Sequence, residues 1–170
     1  MKKNVVLLFG LLALFAAMSA GAQTKVSGTL TCTKADPSYK VEVGDRPGHA
    51  YILEKNACTW TQPAELGGDK GKDGHSVSVT ELTPTHAMTH GTHVTTMASG
   101  DMSFAAFHDA YPIKDGKPGD STGHWIYTGG TGKLTGLTGK GTYKVTLNAD
   151  GTITVAVEGE YELPAPAAKP

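Results

Sequence analysis

This sequence has few cysteines, little net charge and few long apolar runs. Beyond the first 22 residues, no apolar stretch reaches the ~18 residues that a membrane-spanning helix needs, so we expect no membrane insertion. The 170 residues carry a formal net charge of −1, which gives no sign of the basic face of a nucleic-acid-binding protein. With 39% hydrophobic and 18% charged residues, the chain is neither collagen-like nor a disordered polyelectrolyte. Its composition and length fit one compact domain.

The first 22 residues have the pattern of a secretory signal. Lys2 and Lys3 form a positive start, residues 5–17 are apolar, and small residues at 20–22 form a cleavage site before Gln23. We therefore expect an exported protein, periplasmic or extracellular, from which residues 1–22 are removed.

The two cysteines, Cys32 and Cys58, both lie in the part of the chain that would be exported. An oxidising compartment allows paired cysteines to form a disulfide. We predict a bridge between them, and the alternative is a pair of buried free thiols.

From Thr24 onward the sequence is rich in Thr, Val and Gly, and turn-forming clusters separate its short apolar stretches. This pattern is typical of an all-β protein. Residues 103–111 fit both helical and strand spacing, and we favour a strand. The other predicted strands are 25–34, 39–43, 50–55, 76–82, 91–99, 123–128, one near 134–137, 140–147 and 152–163.

No segment offers a long amphipathic helix to cover the apolar face of such a sheet. Eight or nine strands must therefore bury that face by closing into a barrel or folding into a sandwich. We expect a disulfide-clipped antiparallel barrel of about eight strands over residues 23–163. The proline-rich residues 164–170 are expected to form a disordered tail.

Residues 140–163 contain the clearest hairpin, because apolar and polar side chains alternate on both sides of a short turn. Matching the apolar faces places Leu147 opposite Ile153 and predicts Gly151 in a left-handed conformation. The same register puts Gly141 opposite Gly159. Two facing glycines leave either a gap or room for a bulky neighbour such as Trp125.

Residues 129–136 read GGTGKLTG and resemble the GGTG-[KR]-[FY]-x-G segment of dirigent proteins and of the wider allene oxide cyclase-like group. The resemblance implies a calycin-like, eight-stranded barrel, often trimeric, whose lumen holds a small hydrophobic molecule. The acidic catalytic residues of those families lie outside this segment, so the resemblance assigns no catalytic residue here. The glycines themselves are interpreted as turn-shaping, because the sequence has no phosphate-binding glycine motif.

Three histidines, His86, His90 and His93, would gather on one face of a helix and suit a transition metal. Pro84 and Gly91 argue against that helix, and on a strand His90 and His93 point to opposite faces. We interpret these histidines as part of an exposed loop and predict neither a metal site nor a cofactor.

Several side chains are candidates for lining an apolar lumen. Aromatic rings can line a pocket or fill a core, and an inward carboxyl group would have a raised pKa. Glycines on the apolar face leave space for a ligand. The candidates are Trp60, Trp125, Tyr127, Tyr143, Gly141, Gly159, Glu54 and Glu81.

Three functions are compatible with this sequence. The first is a barrel that binds a small apolar or aromatic molecule. The second is an isomerase or cyclase acting on a hydrophobic substrate inside the barrel, which requires an acid such as Glu54, Glu81 or Asp101 to line a cavity. The third is a structural envelope protein whose barrel is filled by its own side chains.

Overall fold

The computed structural model describes residues 23–119 and 121–165, which form strands and turns with one short 3-10 turn. The predicted signal at 1–22 and residues 166–170 of the predicted tail lie outside the described residues. The elements in chain order are β1 (Thr24–Cys32), β2 (Ser38–Glu42), β3 (Ala50–Gln62), β4 (Glu65–Leu66), β5 (Asp69–Leu82), β6 (His86–Met97), β7 (Met102–Lys114), β8 (Lys117–Pro118), β9 (Ser121–Gly130), the 3-10 turn Gly132–Leu134, β10 (Thr138–Leu147) and β11 (Ile153–Glu162). Among these elements there is no helix long and apolar enough to cross a membrane.

Eight of the strands close into an antiparallel barrel, as predicted. The order around the ring is β1, β11, β10, β9, β7, β6, β5 and β3. The pairing of β3 with β1 closes the ring. Closure pairs β1 and β3 with each other over Thr29–Cys32, which protects part of both sheet edges. β2 extends the sheet beside β3, outside the ring, while the two-residue strands β4 and β8 pair with β5 and β7.

The prediction for residues 103–111 is confirmed, because they lie in β7. The prediction of a strand near 134–137 is wrong. The chain makes a 3-10 turn there, and Leu137 N–H donates to the carbonyl of Leu134. Gly132 and Gly136 have φ angles of 52° and 78°, and such left-handed residues interrupt a strand.

The last hairpin has the predicted register. Leu147 lies opposite Ile153 and Gly141 lies opposite Gly159. Gly151 has a φ of 82°, which is the left-handed conformation expected for a glycine in a short hairpin loop. Alternation of apolar and polar side chains is therefore sufficient to fix the pairing of these strands.

The predicted disulfide is present between Cys32 and Cys58, whose residues are direct partners across β1 and β3. β1 pairs with β3 only through Thr29–Cys32, whereas it pairs with β11 along its whole length. The disulfide therefore crosses the shortest seam of the ring and fixes the point at which the barrel closes.

One end of the barrel is filled and the other is open. Buried Leu66, Met97, Leu134 and Leu137 pack at the end that contains β4 and the 3-10 turn. At the opposite end, the connections after β1, β7 and β10 border an internal cavity. The interior is therefore approached from the side of these loops.

Candidate functional site

The interior holds a cavity of about 400 Å³ above the filled end. This volume lies within the range of about 300–1,000 Å³ that is usual for small-molecule sites. The even-numbered residues of β1 and the odd-numbered residues of β7, β9, β10 and β11 point into it, because side chains alternate along each strand. The barrel is therefore hollow in its open half.

The cavity has one apolar wall and one polar wall. The apolar wall is formed by β1, β10 and β11 and consists of Val26, Leu30, Val145, Leu147, Ile153, Val155 and Val157. The polar wall is formed mainly by β5, β6 and β7 and carries Ser76, Ser78, Thr80, Thr89, His93, Thr95, Ser103, Asp109 and Tyr111. A molecule that fills this cavity would need an apolar body and a polar edge.

Aromatic rings form the floor of the cavity, and nearby glycines leave space for them. The Trp125 ring lies over Gly141 and Gly159, so a Cβ atom at either glycine would come within 2.5 or 2.6 Å of its Cζ2 atom. The Trp125 indole N–H donates to the carbonyl of Thr142 at 3.1 Å. Trp125, and not a gap, therefore occupies the space above the two facing glycines.

Asp109 presents an unsatisfied carboxyl oxygen inside the barrel. Its Oδ2 atom accepts hydrogen bonds from the hydroxyls of Ser121 at 2.6 Å and Tyr143 at 3.0 Å. Its Oδ1 atom is buried and has no hydrogen-bond partner. Leaving a buried acceptor unpaired costs about 1–3 kcal/mol, so this oxygen is prepared to accept a hydrogen bond from a bound molecule.

The position of Asp109 is fixed by the phenol of Tyr143. Burial and the neighbouring Asp109 carboxyl group raise the pKa of Tyr143 well above its usual range, so the phenol stays protonated and donates. The Tyr143 ring packs edge-on against Phe107, with 6.0 Å between the ring centroids. A Cβ atom on Gly123 would collide with this ring, which explains the glycine at that position.

His93 is a second unsatisfied group in the polar wall. Its Nε2 atom is buried and has no hydrogen-bond partner. Burial, with a smaller contribution from nearby His75, lowers the pKa of His93 to about 4. The imidazole is therefore neutral at neutral pH, and the cavity receives no positive charge from it.

The predicted site residues divide into three groups. Trp60, Trp125, Tyr127, Tyr143 and Glu54 line the cavity. Gly141 and Gly159 lie beneath the Trp125 ring. Glu81 lies on the opposite face of β5 from the lining residues Ser78 and Thr80, and its carboxyl group is 3.1 Å from Nε2 of His49.

The interpretation of His86, His90 and His93 as part of a loop is wrong, because all three lie in β6, although His86 and His90 are exposed as expected. As expected for a strand, His93 faces the cavity while His90 is on the outer face. The strand register instead places His90 beside His108, and His108 beside His124. Within residues 23–119 and 121–165, no group of three His, Cys, Asp or Glu residues is arranged to hold a metal ion.

Asp109 is a site residue that the sequence pattern did not single out. The signal was present, since Phe107, Asp109 and Tyr111 alternate with outward residues once 103–111 is taken as a strand. Asp101, a candidate acid by sequence, instead accepts a hydrogen bond from the backbone N–H of Lys133 at 3.0 Å. It stabilises the glycine-rich turn at the filled end and does not line the cavity.

Comparison with known proteins finds similar structures but no match to a family model or a curated sequence. The fold is similar to that of a pterocarpan synthase dirigent protein, with a TM-score of 0.53 and 12% identity, covering 94% of this chain and 100% of that one.

Two bacterial proteins of unknown function are also similar. One, of the DUF3224 family from Shewanella oneidensis, has a TM-score of 0.48 and 19% identity, covering 85% of this chain and 100% of that one. The other, from Rhodopseudomonas palustris, has a TM-score of 0.48 and 8% identity, covering 82% of this chain and 98% of that one. Together with the closed eight-stranded ring and its hollow interior, the match to the dirigent protein shows that this chain has a dirigent-like β-barrel fold.

Proposed function

We propose that the protein is an exported barrel that binds one small, uncharged and largely apolar molecule bearing a hydroxyl group. The observation that carries this proposal is the buried, unpartnered Oδ1 atom of Asp109, a residue that lines a cavity whose opposite wall is apolar. The hydroxyl group would donate to Asp109, and the apolar body would lie against Val145, Ile153 and Val155.

The charges around the cavity favour an uncharged ligand. Among the described lining residues, Lys34 is the sole lysine or arginine, and it belongs to the loop that borders the open end. Asp109 and Glu54 are the acidic residues of this described lining. A carboxylate ligand would lose its hydration without gaining a cation deep in the cavity, so a fatty acid anion is disfavoured.

A pair of matched probes tests the role of the hydroxyl group. 2-Naphthol can donate a hydrogen bond, whereas 2-methoxynaphthalene has the same aromatic body and cannot. We expect saturable binding of 2-naphthol at one molecule per chain, with an affinity about tenfold higher than that of the ether, because one hydrogen bond of about 1.4 kcal/mol corresponds to that ratio. Fluorescence titration measures both affinities.

Asp109→Asn provides the decisive variant. The carbonyl oxygen of the new side-chain amide would still accept from Ser121 and Tyr143, which puts the amide NH₂ group in the place of the unpartnered Oδ1 atom. The unpartnered acceptor of Asp109 is then replaced by a donor, and the preference for 2-naphthol should disappear. An unchanged preference in Asp109→Asn, or no saturable binding to the native protein, would contradict the proposal.

Filling the cavity tests where the probe binds. Ala105 lines the cavity, whereas its neighbour Ala106 does not and pairs with Ile126 on the outer face. Ala105→Phe should abolish binding of 2-naphthol, while Ala106→Phe should leave it intact. Equal binding by the two variants would place the probe outside the barrel.

The second candidate function is an isomerase or cyclase that acts on a hydrophobic substrate in the same cavity. It is supported by the same Asp109 carboxyl group, whose free oxygen can accept a proton from a bound substrate. Such an enzyme would lose turnover in Asp109→Asn while retaining substrate binding. The open volume favours either of these functions over the filled structural barrel.

The proposed assembly and location follow from the resemblance and the sequence. Export to the periplasm or the extracellular space is supported by the disulfide and by the signal pattern at residues 1–22. The resemblance to dirigent proteins suggests a homo-oligomer.

A further inference from the structure

The strand β2 has one unpaired edge. It pairs with β3 on one side, and no strand of the described residues pairs with it on the other. All five of its residues are exposed. A free, exposed strand edge is a template for pairing with another chain.

The ladder with β3 determines which backbone groups of β2 point away from the barrel. Val43 N–H donates to the carbonyl of His49, and Lys55 N–H donates to the carbonyl of Pro37. Hydrogen-bonded pairs recur at every second residue of an antiparallel ladder. The odd-numbered residues of β2 therefore bond to β3, and the even-numbered residues Ser38, Lys40 and Glu42 direct their N–H and C=O groups to the free edge.

The side chains along this edge are apolar on the outer face and charged on the other. Tyr39, Val41 and Val43 are 60%, 65% and 44% exposed. On the opposite face, Nζ of Lys40 is 2.6 Å from Oε1 of Glu42. An apolar strip beside a row of free backbone groups is an interaction surface that a second strand would cover.

We propose that β2 pairs antiparallel with β2 of a second copy of this chain, in the register that places Val41 opposite Val41 on the two-fold axis. Hydrogen-bond parity requires even-numbered residues to lie opposite even-numbered residues. This register puts Lys40 of each copy opposite Glu42 of the other. It also puts Tyr39 of each copy opposite Val43 of the other, on one apolar face.

The neighbouring registers that satisfy the same parity bring together groups that repel or cannot pair. A register centred on Lys40 places the two Lys40 ammonium groups opposite each other. A register centred on Glu42 places the two Glu42 carboxylates opposite each other. Centring on Tyr39 places Glu42 opposite Asp36 and brings Pro37, which has no N–H, into the pairing segment. Like charges opposite each other destabilise a ladder, so the charge pattern selects the Val41-centred register and thus a second copy as the partner.

The two-fold axis makes this interface self-limiting. Each copy has one β2 edge, and pairing uses it completely, so the product is a closed dimer rather than a fibre. The dimer differs from the trimer that the resemblance to dirigent proteins suggests.

A charge exchange tests the register. Sedimentation of the mature, disulfide-bonded protein should show a monomer–dimer equilibrium. Lys40→Glu and Glu42→Lys each place like charges opposite each other at two symmetric positions, and each should raise the dissociation constant at least about tenfold. The double variant Lys40→Glu/Glu42→Lys restores opposite charges and should return the dissociation constant to within about threefold of the native value. Lys140→Glu, on β10 across the barrel, is the control and should have no effect.

Cross-linking tests the two-fold axis directly. Directly opposed residues of neighbouring strands have Cβ atoms about 4.5–5.5 Å apart, close enough for a disulfide after small adjustment. Val41→Cys should therefore form a covalent dimer on mild oxidation, and Val77→Cys, which is 41% exposed on β5, should not. A monomer at all concentrations, a trimer unaffected by the charge reversals, or equal cross-linking at the two positions would overturn the proposal.

Discussion

Removal of the Cys32–Cys58 disulfide should weaken the barrel at its closing seam. The bridge closes a loop with a sequence separation of 26. Chain entropy gives about 3.5 kcal/mol for a loop of this size, through its effect on the unfolded chain. Because the stability of a domain is typically about 5–15 kcal/mol, this loss is a large fraction of the total.

The double variant Cys32→Ala/Cys58→Ala measures this contribution without leaving a buried thiol. Equilibrium urea unfolding should show a loss of about 3.5 kcal/mol relative to the oxidised protein. The native protein unfolded in a reducing agent should show a similar loss, which makes it the matched control.

The location of the bridge adds a second expectation. Since β1 pairs with β3 only over Thr29–Cys32, amide exchange in the double variant should accelerate first along this seam. The hairpin of β10 and β11 should be affected less. A loss below about 1 kcal/mol, or exchange that accelerates evenly around the ring, would refute the assignment of the disulfide to barrel closure.

Three further predictions concern single residues. Gly151→Val should cost about 1–2 kcal/mol in thermal or urea unfolding, because a β-branched residue is poorly tolerated at a φ of 82°; an unchanged midpoint would contradict this. Gly123→Ala should displace the Tyr143 ring from Asp109 and so weaken 2-naphthol binding. Binding at native affinity would show that the Tyr143–Asp109 hydrogen bond is not needed for binding. His93 has a pKa lowered from 6.5 to about 4, so it contributes stability that is complete above pH 6.5 and is lost as the pH falls towards 4. This contribution is at most about 3 kcal/mol; His93→Gln should flatten the stability profile in that window, whereas the outer-face variant His90→Gln should not.

The fold could be predicted to a large extent because its determinants are local. Alternation along 140–163 gave the register from Leu147 opposite Ile153 to Gly141 opposite Gly159, since a shift of one residue would turn every apolar side chain outward. The disulfide was predicted from the number of cysteines, and the barrel from the absence of an amphipathic helix. Neither prediction required knowledge of distant contacts.

Other features of the fold depend on tertiary context. Leu134 and Leu137 form a short apolar segment that sequence alone does not distinguish from a strand, but they pack in the filled end of the barrel, in a turn with two left-handed glycines. The segment from His86 to His90 contains polar residues at the start of β6 and offers no strand signal of its own. It becomes a strand because β5 and β7 pair with it on both sides.

The candidate site was only partly predictable for a similar reason. Trp60, Trp125 and Tyr143 are candidate lining residues because they are aromatic, but whether such rings line a pocket or fill a core depends on how they pack. The facing glycines accommodate Trp125, and the open volume lies above that ring. The free oxygen of Asp109 depends on hydrogen bonds from β9 and β10, which no local pattern in β7 specifies.

The proposed function is tested most sharply by locating 2-naphthol through intermolecular nuclear Overhauser effects in methyl-labelled protein. We expect contacts from the naphthol ring to inward methyl groups of Leu30, Val145 and Val155, and none to the exposed methyl groups of Val77 on the outer face. Contacts confined to Val77 and its outer neighbours, or the absence of any contact at saturating probe, would contradict the claim that the barrel interior is the binding site.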